Sequence, residues 1–178
     1  MKTQPATPVT SASCDGAMNW HDLDWAKVQT SVRKTQLKIA QATREGNWRR
    51  VKRLQRMLTH SFHGRCLAVR RVTENRGRKT PGVDGETWGS PQAKLRAVMR
   101  LSKKRSYRPQ PLRRVWIPKP GKQEKRPLGI PTMLDRAMQA LYLQALEPVI
   151  ESTSDPKSYG FRPDRSTADA MVELFHLL

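Results

Sequence analysis

Six cations crowd two short β-rich runs: Arg113, Arg114, Lys119, Lys122, Lys125 and Arg126, with Glu124 the one acid among them. The runs at 112–118 and 125–130 flank Lys119-Pro120-Gly121-Lys122-Gln123-Glu124, whose Pro-Gly pair marks a turn, so residues 112–130 read as a β-hairpin. A hairpin sends alternate side chains in fixed directions, and its cations can converge on a triphosphate or a nucleic-acid strand. Pro127 puts the second strand at an edge or frayed position.

A second basic set lies upstream. From Asn47, a plausible cap, Trp48, Val51, Leu54, Leu58, Phe62, Cys66 (or Leu67) and Val69 keep helical spacing, which predicts one long amphipathic helix. Its other faces carry Arg49, Arg50, Lys52, Arg53, Arg56, Arg65, Arg70 and Arg71, almost without acidic partners at i,i+4. Such cations repel one another unless an anion covers them, which favours contact with an RNA or DNA backbone. Residues 76–85, with Arg76, Arg78 and Lys79 among three glycines and a proline, read by composition as an ordinary surface turn.

Metal chemistry is weakly supported. His60, His63 and Cys66 are spaced by three, but on a helix the first and last stand about 600° apart at 100° per residue, off a common face. Cys66 reads as core. Asp22 and Asp24 read as helix-entry residues, and Asp164 and Asp169 as a loop residue and a helix start.

The charge is confined. The 178 residues hold 34 Lys plus Arg against 15 Asp plus Glu, a net +19, yet residues 44–126 alone hold 25 and 5. A solvated face mixes both signs, so a one-sign block of this length points to a phosphate backbone. Leu, Ile, Val and Phe make up only 34 residues, about 19%, which leaves a thin core and raises the prospect of a chain folded only in part or with a partner. No apolar run approaches a membrane span and none of signal-peptide type opens the chain, which predicts a cytoplasmic protein with no membrane partner. Cys14 and Cys66 are too few for a disulfide framework.

The elements that must position these residues are mostly helical. Residues 1–19 read as a disordered tail. Asp24 caps a helix through Trp25, Val28, Val32 and Ile39 that breaks at Glu45-Gly46-Asn47, so the first two helices form an antiparallel hairpin. Ser90-Pro91 opens a third helix through Leu95, Val98 and Leu101. Thr132 with Asp135 resembles a capping box ahead of a buried helix carrying Met138, Leu141, Ala145 and Val149, which Pro148 would kink or end. Ser166 or Thr167 caps a last helix.

Three ordered motifs then carry a family resemblance, over roughly residues 20–178. Thr80-Pro-Gly-Val-Asp-Gly-Glu-Thr87 looks like the motif preceding the polymerase blocks of reverse transcriptase and maturase proteins encoded by group II introns. Tyr107-Arg-Pro-Gln-Pro-Leu-Arg-Arg-Val-Trp-Ile-Pro-Lys119, Lys125-Arg-Pro-Leu-Gly-Ile-Pro-Thr132, Asp135-Arg136, Gln139 and Leu146-Glu-Pro148 resemble their first block. Ser158-Tyr-Gly-Phe-Arg-Pro163, with Arg165-Ser166 and Asp169-Ala170, resembles their second. Asp164 departs from the pattern, standing where the family usually has glycine, and it would strain any positive φ there.

The resemblance implies an α+β, mostly helical fingers part of a right-hand polymerase, with one β-hairpin. Residues 20–110 would be a basic helical N-terminal extension with a template-binding loop at 76–87, and residues 111–178 the fingers and the start of the fingers/palm region. It implies that Arg113, Lys119 and Arg126 grip the triphosphate of the incoming dNTP. Arg49, Arg50, Arg53, Arg56, Arg78, Lys79 and Arg162 would contact template or intron RNA, and Tyr159, Gly160 and Phe161 would shape the wall near the templating base. The family's Mg²⁺ is held by aspartates of later blocks, including a paired Asp motif absent here, so the catalytic palm segment is absent and the fragment alone is not expected to polymerise. Partners implied are intron RNA, RNA template with DNA primer, and dNTP, with self-association or pairing to the palm through the helix from Met133 to Val149. A stand-alone RNA-binding module from a truncated or split intron protein, or a defence-associated reverse transcriptase, are the alternatives.

Overall fold

A computed structural model of the chain describes residues 19–103, 107–121 and 123–177. Of the sequence readings, the tail up to residue 18, Cys14 and Lys122 lie outside the described residues. Among the described residues six helices, α1 (Trp25–Arg44), α2 (Trp48–His60), α3 (Phe62–Glu74), α4 (Pro91–Arg100), α5 (Met133–Thr153) and α6 (Thr167–Leu177), accompany one antiparallel pair, β1 (Arg113–Pro118) and β2 (Lys125–Ile130). A 3-10 turn covers Arg76–Lys79. The protein is thus α+β and mainly helical, and no helix among the described residues is long and apolar enough to cross a membrane.

Local chemistry sets the helix ends. The Asp24 carboxylate accepts the Lys27 N–H at 2.9 Å and starts α1. At its far end Gly46 takes φ +65°, which lets its N–H reach the Thr43 carbonyl and the Asn47 N–H reach that of Ala42, both inside 3.1 Å. Asn47 then caps α2 by accepting the Arg50 N–H at 3.0 Å, so the chain reverses within three residues.

The single helix expected from Trp48 to Val69 is two helices. Ser61 has an extended backbone (ψ 146°), ends α2, and accepts the Gly64 N–H at 2.9 Å to start α3. Trp48, expected on the apolar stripe, is instead 51% exposed, whereas Val51, Leu54, Leu58 and Cys66 are buried.

α5 is the central helix. It packs on α1, α2 and α3, and of the stripe read from the sequence Met138, Leu141 and Ala145 are at most 5% exposed while Val149 is half-buried against the same core. The apolar side chains it leaves exposed lie elsewhere, at Leu143, Leu146 and Ile150. Pro148 does not end α5. Lacking an N–H, it frees the Gln144 carbonyl, which receives the Gln36 side-chain amide of α1 at 2.9 Å. The next carbonyl, Ala145, receives the Gln55 amide of α2 at 3.0 Å.

Thr132 and Asp135 form the expected reciprocal cap: the Thr132 hydroxyl accepts the Asp135 N–H at 3.1 Å and donates to its carboxylate at 2.7 Å. Tyr107 Oη donates to the same carboxylate at 2.5 Å, and the Gln110 N–H at 3.4 Å. Burial pushes the Asp135 carboxyl up, but these donors outweigh it and hold it below the usual range. Burial and the Asp135 bond push the Tyr107 phenol up to about 12.

Candidate nucleic-acid interface

On α2, Arg49, Lys52, Arg53 and Arg56 fall within an arc of about 100° at 100° per residue. They form one exposed stripe opposite the buried Val51, Leu54 and Leu58. None of the four cationic heads has an ion pair among the described residues, whereas Arg50 lies 3.3 Å from Glu45. Of the α3 cations expected to join them, Arg71 stays exposed, whereas Arg65 and Arg70 are turned to the protein. Arg65 donates to the Val98 carbonyl at 3.1 Å, and Arg70 pairs with Glu74 at 2.9 Å while stacking over Trp25. The helical part of the interface therefore narrows to the α2 stripe and Arg71.

The 76–87 loop exposes Arg78 and Lys79 and is fastened from below. A Cβ on Gly82 would stand 2.6 Å from the Thr132 Cα and 2.8 Å from its nitrogen, so only glycine fits against the start of α5. Arg136 donates to the carbonyls of Gly77 (3.0 Å), Thr80 and Pro131 (3.2 Å), and Arg113 of the hairpin donates to that of Pro81 at 3.3 Å. Sequence reasoning gave Arg136 no role. A signal was present, because a cation in the first turn opposes the helix dipole and needs another reason to be there.

The hairpin register is Arg113↔Ile130 through Ile117↔Arg126 to Pro118↔Lys125. The Lys119 N–H to Glu124 carbonyl bond of 3.0 Å marks that pair as hydrogen-bonded; counting back by twos leaves Trp116↔Pro127 a non-bonded pair, where a missing N–H costs nothing. Alternation puts Arg113, Val115, Ile117 and Lys119 on one face together with Arg126, Leu128 and Ile130. Arg114, Lys125 and Trp116 take the other. The three residues implied for triphosphate contact thus share a face. Arg113 stands about 13 Å along the strand from the place opposite Arg126, and the Lys119 ammonium meets Glu124 at 2.6 Å.

In the 158–165 loop the implied residues separate. Phe161 is fully exposed at φ 59° and Asp164 lies at φ 55°, the left-handed conformation at the position where glycine is usual. Arg162 points inward. Its guanidinium makes a two-pronged pair with Glu151 (3.0 and 2.6 Å) and also donates to the Asp155 carbonyl at 2.7 Å. That hydrogen bond holds the Glu151 carboxyl below its ordinary range. Arg165 stacks over Tyr159 with 5.6 Å to the ring centroid, and Gly160 is exposed between these clamped neighbours.

Among the described residues no group of three His, Cys, Asp or Glu is placed to hold a metal ion. His63 hydrogen-bonds Ser31, His60 the Arg56 carbonyl, and Cys66 is fully buried.

Comparison with known proteins agrees with this layout. Residues 20–101 match the N-terminal domain of reverse transcriptase, and residues 117–177 match reverse transcriptase (RNA-dependent DNA polymerase). Protein YkfC of Escherichia coli K12 is 40% identical over 126 residues, covering 68% of this chain and 32% of that protein. The group II intron-encoded protein LtrA of Lactococcus lactis subsp. cremoris is 35% identical over 106 residues, covering 59% of this chain and 18% of that protein. The chain thus spans less than a third of the curated relatives it matches. With both models in chain order over residues 20–101 and 117–177, the chain belongs to the reverse transcriptase family.

Proposed function

We propose that the chain is the fingers region of a right-hand RNA-directed DNA polymerase of the group II intron type, gripping template or intron RNA and the triphosphate of an incoming dNTP. The observation that supports this best is an asymmetry of pairing. Arg49, Lys52, Arg53 and Arg56 on α2 and Arg78 and Lys79 in the loop carry no carboxylate partner among the described residues, while Arg65, Arg70 and Arg162 are turned to the protein. Free cations on rigid elements suit a polyanion, and the loop cations sit beside the hairpin through the Arg113 to Pro81 bond.

On the hairpin, Arg126 and Lys119 would meet the β and γ oxygens and Arg113 the far end, so that cations offset the charge that collects on pyrophosphate as it departs. The Lys119 pair with Glu124 is exposed and weak, and a phosphate can displace it. Mg²⁺ would be held by carboxylates outside the described residues. Intron RNA bound along α2 would supply the maturase side of the activity.

Primer extension tests the division of labour. With Mg²⁺, dNTPs and an RNA template annealed to a DNA primer, the 178-residue chain is expected to shift the duplex in a gel without extending it. Template-dependent DNA synthesis by this chain would overturn the reading.

A further inference from the structure

Between the 3-10 turn, the end of α3 and the start of α4 lies a cavity of about 350 Å³, lined by Arg78, Lys79 and Lys94 with Thr73, Thr87 and Trp88. The cations come from two separate elements, sixteen residues apart at their widest. The acids next in sequence to lining residues Thr73 and Thr87 are engaged elsewhere. Glu74 takes Arg70 at 2.9 Å, and Glu86 takes Arg100 at 2.6 and 2.8 Å together with the Trp88 indole N–H at 2.9 Å. Arg78 and Lys79 have no side-chain hydrogen bond or ion pair among the described residues. The Lys94 ammonium lies over the Trp20 ring, 5.4 Å from its centroid, a contact that leaves its N–H donors free.

Three unpaired cations around one concavity are mutually repulsive in the free protein, and a single anion placed among them relieves that repulsion three times over. The walls favour a particular anion. Trp88 is 3% exposed and Thr73 has its hydroxyl turned to the Val69 carbonyl, so the floor is apolar and rigid and the donors sit at the rim. A phosphate reaching in from a strand that continues on both sides suits this arrangement, since only its oxygens need meet the cations. We propose that this cavity seats one phosphodiester of RNA, gripped by Arg78, Lys79 and Lys94, so that α4 joins the interface through a residue not previously assigned to it. The inference rests on the RNA-binding reading above.

The test measures affinity of the 178-residue chain for a short oligouridine RNA across a series of KCl concentrations. Lys94→Gln and Lys79→Gln are each expected to lower the slope of log K against log salt by about 1. Lys94→Arg should restore it. Lys38→Gln, an equal charge change on exposed α1, should leave the slope within error of the starting protein. Lys79 has no packing role, so its variant reports on the site even if Lys94→Gln loosens the Trp20 contact. Steep RNA binding by the unchanged chain, with Lys79→Gln and Lys94→Gln indistinguishable from Lys38→Gln, would overturn the cavity proposal and leave the broader reading standing. Absence of RNA binding by the unchanged chain would overturn both.

Discussion

Gly82→Ala separates a docked loop from a loose one. The added methyl would meet the Thr132 Cα at 2.6 Å, the Thr132 nitrogen at 2.8 Å and the Pro131 carbonyl carbon at 3.0 Å. All three atoms are backbone, in the cap of α5, so no side chain can swing aside. Either the cap shifts, with the overpacking cost of about 1–3 kcal/mol typical of an inserted methyl, or the loop lifts and Arg136 loses its carbonyl partners at Gly77 and Thr80. Each of those charge-assisted bonds contributes about 1.5–3 kcal/mol, so the cheaper route still costs about 2 kcal/mol. For a chain of this size that corresponds to about 4–8 °C in Tm. The assay is thermal unfolding followed by far-UV circular dichroism, with Gly89→Ala as control, because a Cβ there meets nothing within 4 Å. Gly89→Ala is expected to change stability by less than about 0.5 kcal/mol. If Gly82→Ala melts with the unchanged protein, the loop is not packed on α5 and the account of its positioning is wrong.

Other consequences are open to measurement. Gln36→Ala should cost about 1–3 kcal/mol by orphaning the Gln144 carbonyl, and Pro148→Ala, which restores a helical N–H to that carbonyl, should recover much of the loss in a double-mutant cycle followed by urea denaturation. Phe161→Gly should raise stability by about 1 kcal/mol by relieving a left-handed φ at a bulky residue, yet weaken RNA binding if the exposed ring stacks on a base; a stability loss would show that the conformation is unstrained. The Asp135 carboxyl is held below its unfolded value, so its contribution is present above about pH 4 and fades as pH falls through the lower folded value. Asp135→Asn should therefore lower stability at pH 7 and flatten the acid limb of the stability curve, and an unchanged acid limb would contradict the Tyr107 and Thr132 contacts.

The parts of the fold legible in the sequence are those whose cause is local. Asp24, Asn47, Ser90 and Thr132 accept hydrogen bonds within three residues, and the Pro-Gly turn fixes the hairpin by its own geometry. Ser61 hid inside an unbroken apolar spacing, because α2 and α3 bury residues at intervals that one straight helix would also satisfy. Pro148 misled for the opposite reason. The groups that let α5 pass through it, Gln36 and Gln55, come from 108 and 90 residues away from the carbonyls they bond. The site divides along the same line. Counting charges locates the basic block, but which arginines face outward depends on distant carbonyls and carboxylates, as with Arg65 on Val98 and Arg162 on Glu151.

The central claim is that the α2 stripe grips a nucleic-acid backbone. Affinity for RNA as a function of KCl, compared between the unchanged chain and the Arg49→Glu/Arg53→Glu/Arg56→Glu variant, tests it most directly. The account expects steep salt dependence in the unchanged chain and a slope lower by about 3 in the variant, with weakening that is alike for unrelated sequences. Tight binding that ignores both salt and the three reversals would contradict it.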